Sequence, residues 1–79
     1  AVPSGYMVIS NHIDKPGVIG KIGTLLGKNN INIAGMIVGR ESPGGPAVMV
    51  LAVDSSIPDD ILKQFLDVDG VKDAELVKL

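Results

Sequence analysis

The chain has 79 residues, a formal charge of −2, one histidine and no cysteine. That is room for one domain, burying roughly 60% of its unfolded surface, with no disulfide or thiolate metal site to help it. No run of Lys or Arg offers a footprint for nucleic acid, and no apolar stretch reaches the ~20 residues of a membrane span.

Tyr6 to Asn11 is apolar and β-branched and predicts a strand. His12-Ile13-Asp14-Lys15-Pro16-Gly17 then breaks it, and Pro16 suits the first turn of a helix. From there Val18, Ile19, Ile22, Leu25 and Leu26 recur on one helical face, with Gly27 and Asn29-Asn30 as stop signals. Gly20 and Gly23 weaken this helix by roughly 1 kcal/mol each relative to Ala, a cost that close approach of a backbone or a ligand would offset. Ile31 to Arg40 predicts a second strand, with Ile31, Ile33 and Ile37 on one side. Ser42-Pro43-Gly44-Gly45-Pro46 is a turn, and Ala47 to Val53 a continuous apolar strand, so the two strands form a hairpin. Ser56-Ile57-Pro58-Asp59 resembles a capping box, and Ile61, Leu62, Phe65 and Leu66 mark a second helical face. Asp69-Gly70 turns the chain into a last strand, Val71 to Val77.

The order βαββαβ places the chain in the α+β class. Its economical solution is one mainly antiparallel sheet with both helices on one face. The first and third strands are nevertheless apolar at nearly every position: Met7, Val8 and Ile9, then Val48 to Val53. Such strands are usually buried on both sides, so another chain or domain is expected over the open face; a modestly apolar exposed sheet is the alternative.

The segment from His12 to Gly17 carries the chemistry. A strand feeds into a helix start, whose first free N–H groups favour an anion such as a carboxylate. Gly17 and Gly20 leave room for it, and His12 and Asp14 supply a donor and an acceptor for a ligand with an amine and a hydroxyl. Each residue also has a structural reading. Asp14 fits the helix N-cap, His12 a solvated loop, Asn32 a turn, and the two glycines helix-to-sheet packing. An enzyme fares worse: His12 stands alone, no serine has a visible base, and neither Gly-x-Gly-x-x-Gly nor Gly-Lys-Ser/Thr is present.

Three segments together resemble an ACT domain: His12-Ile13-Asp14-Lys15-Pro16-Gly17-Val18-Ile19-Gly20, Asn30-Ile31-Asn32-Ile33-Ala34, and Ala47-Val48-Met49-Val50. The likeness runs from about Gly5 to the end. Gly35 to Arg40 and Leu76-Val77-Lys78-Leu79 are most similar to the ACT domains that close D-3-phosphoglycerate dehydrogenases; those of iron–sulfur L-serine dehydratases come second. The resemblance implies a ferredoxin-like four-stranded antiparallel sheet of order 4-1-3-2. It also implies that residues 1–79 are one domain, the C-terminal piece of a longer cytoplasmic enzyme. No cofactor is expected in the domain itself, and NAD is expected in an upstream catalytic domain. The implied partners are L-serine, or a similar small amino acid, and a second copy joined through the second strand, whose Gly35 admits a close neighbour. The ligand residues it implies are His12 and Asp14 from the loop and Asn32 from the neighbouring copy; Gly17 and Val18 at the helix start, and Ile33 beside Asn32, complete the expected ligand-binding set. Some family members have Asn where this chain has Asp14. An ionised Asp accepts but cannot donate, so it favours an ammonium group.

Overall fold

The computed structural model describes residues 5–40 and 42–79. Its elements are strands β1 (Tyr6–Ile13), β2 (Ile33–Arg40), β3 (Pro46–Val53) and β4 (Glu75–Lys78), and helices α1 (Val18–Lys28) and α2 (Asp59–Gln64), α2 running into a 3₁₀ turn at Phe65–Asp67. The four strands form one sheet of order β2-β3-β1-β4, with every neighbouring pair antiparallel. This is the expected ferredoxin-like arrangement, and β2 lies at an edge.

Strand alternation sorts side chains between the two faces. On one face Val8, Met49, Leu51 and Val53 meet Ile22 and Leu26 of α1, Ile61 of α2, and Ile31, Ile57 and Phe65. With one Phe and one Tyr in the chain, aliphatic side chains do most of the filling. Among the described residues the opposite face, with Ile9, Val50 and Ile37 side by side in the ladder, receives no helix.

Four sequence expectations shift. The register of β2 slips between Ile33 and Gly35, so Ala34 is an extra residue and the alternation reverses beyond it. Ile33 therefore faces the helices beside Val53, whereas Ile37 turns to the open face, 72% exposed, and does not share a side with Ile31 and Ile33. At α2 the N-cap is Pro58 with no side-chain cap, so Ser56 closes no capping box. Leu66 leaves the buried stripe because the chain tightens from α-helix to 3₁₀ turn, where the angle per residue changes. The last strand begins at Glu75, not Val71. Over Val71–Asp73 the ladder gives way to a lone bridge from Val71 to His12 and to hydrogen bonds around Asp73. Ser10 Oγ donates to the Asp73 carbonyl at 2.6 Å, and the Asn11 main-chain N–H donates to the Asp73 carboxylate at 2.9 Å.

Ile22 is wholly buried and Leu66 is half exposed. Ile22→Ala should lower the unfolding free energy by about 2–5 kcal/mol. Leu66→Ala should change it by less than about 1 kcal/mol. Urea unfolding of both variants checks the assignment, and equal effects would contradict it.

Candidate functional site

β1 runs two residues beyond the predicted strand, so His12 sits inside the sheet and not in a solvated loop. Alternation gives it the same face as Val8 and Ser10, toward the helices. Its neighbours across the sheet are Val71 on one side and Ala47, then Arg40, on the other. Only 1% of His12 is exposed, and among the described residues its Nδ1 meets no hydrogen-bond partner. A buried polar atom left this way costs about 1–3 kcal/mol.

Asp14 follows just past the end of β1. Its N–H donates to the Gly45 carbonyl at 2.8 Å, which ties it to the β2–β3 turn. Its carboxylate accepts from Arg40 Nη1 at 2.8 Å and from the Gly44 N–H at 3.3 Å. The Arg40 guanidinium first, and the Gly44 N–H second, hold the Asp14 carboxyl below the usual carboxylate range. Asp14 is therefore not the cap of α1. Gly17 takes that place at φ 93°, a left-handed conformation that suits glycine, and among the described residues no side chain caps the helix. The first N–H groups of this 11-residue helix thus have no side-chain acceptor among the described residues. On the far side of the loop Ile13 N–H donates to the Gly70 carbonyl, and Lys15 pairs with Asp69.

The packing explanation for Gly20 does not hold within this chain, because a Cβ built there meets nothing within 4 Å. The same is true of Gly17 and Gly23. Gly17, Gly20, Lys21 and Thr24 instead line a shallow groove along the start of α1. His12, Asp14, Gly17 and Val18 are thus gathered around the junction of β1 and α1. Asn32 and Ile33 are not. Ile33 lies opposite Val53 while His12 lies opposite Ala47, which separates them by roughly 20 Å along the strands at the usual rise. Asn32 is exposed and donates to the Asp54 carboxylate at 2.8 Å.

Arg40 is the partner of Asp14 that sequence reading missed. Its one signal was its parity on the second strand, which the slip at Ala34 reverses. Among the described residues no three His, Cys, Asp or Glu side chains gather as a metal site, and no helix is long and apolar enough to cross a membrane.

A family model for the ACT domain matches residues 6–70. The chain is similar to D-3-phosphoglycerate dehydrogenase of Archaeoglobus fulgidus, 54% identical over 99% of this chain and 15% of that protein. It is also similar to D-3-phosphoglycerate dehydrogenase of a Synechocystis strain, 49% identical over 98% of this chain and 14% of that protein. The chain thus spans about one seventh of the length of these relatives. Among solved structures, the ACT domain from GTP pyrophosphokinase of Chlorobium tepidum superposes with a TM-score of 0.71 at 19% identity, over 91% of this chain and 95% of that one. The regulatory subunit of aspartate kinase from Thermus thermophilus does so at 0.62 and 21% identity, over 98% of this chain and 53% of that one. At these identities the structural likeness is one of fold.

Two outcomes follow from the geometry. Gly20→Ala should stabilise the chain by about 1 kcal/mol, since it gains helix propensity and meets no clash; a loss of stability in urea would show an unseen packing contact. Asp14, Asp69 and Asp73 all have depressed carboxyl pKa values, held by Arg40, by Lys15 and by the Asn11 N–H respectively. Their contribution to stability is therefore complete above the unfolded carboxylate range and is lost as pH falls through the folded values. Thermal unfolding should be flat down to about pH 5 and decline below about pH 4. In Asp14→Asn the decline should be shallower.

Proposed function

This chain belongs to the ACT domain family, and from that premise we propose that it is the amino-acid-sensing regulatory domain of a D-3-phosphoglycerate dehydrogenase, with L-serine as its ligand. The observation that carries the reading is the buried, unpartnered Nδ1 of His12 beside the Asp14 carboxylate and the uncapped start of α1. A small amino acid has the complementary groups. Its carboxylate suits the N–H groups at Gly17 and Val18, its ammonium the Asp14 carboxylate, and its hydroxyl the His12 imidazole.

Asn32 and Ile33 enter through a second copy. β2 is an edge strand with unpaired main-chain groups and an exposed apolar run at Met36, Ile37 and Val38. Antiparallel pairing of two β2 strands about a two-fold axis brings the start of one strand toward the end of the other. Asn32 of one copy then approaches the His12–Asp14 end of its partner. A ligand held by both copies stabilises the paired arrangement over a separated one. That difference in affinity is the whole of its leverage on an attached catalytic domain. The nicotinamide chemistry is assigned to the rest of the parent enzyme, because α1 opens on Pro-Gly-Val-Ile-Gly and not on a dinucleotide fingerprint. The similarity to dehydrogenases favours that parent over an iron–sulfur dehydratase.

The exposed Ile37 on the β2 edge also supports a second reading, in which the domain only joins subunits. Calorimetry separates the two. L-serine should bind at millimolar concentration or below, L-alanine and glycine more weakly, and Asp14→Ala should abolish the heat. A stable dimer that gives no heat with any of these ligands would support the assembly reading and reject the sensing one.

A further inference from the structure

We propose that Arg40 is a positioning residue of the amino-acid site, pinning one oxygen of the Asp14 carboxylate and presenting the other to the ligand's ammonium group. The inference rests on the reading of His12 and Asp14 as the ligand site.

Both donors that reach Asp14 land on the same atom. Arg40 Nη1 lies 2.8 Å from Oδ2, and the Gly44 N–H lies 3.3 Å from the same oxygen. Among the described residues neither donates to Oδ1. A carboxylate held through one oxygen, with its main-chain N–H fixed on Gly45, is restrained in rotation before a ligand arrives. Its free oxygen is then a preset acceptor for one N–H of an ammonium group.

The sheet explains how Arg40 reaches Asp14. Arg40 is the last residue of β2, and its register partner on β3 is Ala47, itself opposite His12 on β1. All three share the helix-side face. From that end of the sheet Arg40 Nη1 reaches the Asp14 carboxylate, which lies just past the end of β1. The charged or titratable groups facing Asp14 are Arg40 from β2 and His12 from β1. Lys15, its neighbour in the chain, is turned to Asp69. Arg40 also belongs to the strand whose edge is free for a second copy, so the orientation of Asp14 and the geometry of that edge are linked through one side chain.

The test is calorimetric titration of L-serine into the wild-type chain, Arg40→Met and Arg40→Lys at about pH 6 and about pH 4. Circular dichroism and thermal unfolding confirm that each is folded. Arg40→Met should bind on the order of tenfold more weakly at the higher pH, the scale of one misplaced charge-assisted hydrogen bond. Its affinity should also drop more steeply toward the lower pH than the wild type's, because without the guanidinium the Asp14 carboxyl pKa rises, the Gly44 N–H alone holding it down less, and more of it is protonated there. Arg40→Lys should keep the wild-type pH dependence but only part of the affinity, since a freely rotating ammonium holds Oδ2 less firmly than the planar guanidinium Nη1 does. If Arg40→Met fails to fold, the comparison falls to Arg40→Lys: weakened binding supports the role and unchanged affinity overturns it. Weaker binding of Arg40→Met with an unaltered pH dependence overturns it as well, as would wild-type binding in both variants. A wild-type chain that binds no amino acid rejects the site itself, a result distinct from any change confined to the variants.

Discussion

β1 is hydrogen-bonded along both edges, to β3 on one side and β4 on the other, and this double pairing sets what each face of the molecule carries. The register Tyr6–Val53 to Ile13–Pro46 turns Val8, Ser10 and His12 toward the helices and Met7, Ile9 and Asn11 away. A slip of one residue would exchange the two sets. The core would lose Val8 from its packing with Ile22 and Phe65, and the site would lose its imidazole in the same step. Stability and the proposed ligand site therefore depend on a single register. Asp14 emerges two residues after His12, where the strand ends, with its main chain and carboxylate both tied to the β2–β3 turn.

Much of this was legible in the residues. The spacing of Val18, Ile22 and Leu26 announced α1, and Ser42 to Pro46 announced the turn of the hairpin, so the order of elements followed from short-range signals. Errors arose where tertiary contacts outweigh local ones. The polar pair Asn11-His12 looked like the end of a strand, yet Ala47 and Val71 pair with His12 and carry the strand onward. An extra residue at Ala34 leaves no mark in composition, although it decides which way Ile37 and Arg40 face. Leu66 kept the helical spacing while the backbone tightened beneath it.

The candidate site was legible in part for a related reason. His12, Asp14, Gly17 and Val18 are neighbours in the chain and remain neighbours in space. Arg40 is 26 residues from Asp14, and its contact depends on the reversed parity of β2. Asn32 lies at the other end of the sheet within its own chain, so its place in the site depends on an antiparallel partner. An edge strand, an imidazole Nδ1 without a partner among the described residues and a distant asparagine are each unremarked alone; under the proposed two-fold pairing of β2 all three have a use. Binding and pairing then become coupled equilibria, each strengthening the other by the same factor.

That coupling rests on one site being built from two chains, and complementation measures it directly. Asp14→Ala and Asn32→Ala chains are prepared separately, each with L-serine binding abolished or strongly weakened, and are then mixed under conditions that let subunits exchange. A mixed pair contains one site in which Asp14 of one chain and Asn32 of the other are both intact. Binding should therefore reappear in the mixture, with one restored site per mixed dimer. A mixture that exchanges subunits but stays as inactive as its two components would contradict a site shared between chains.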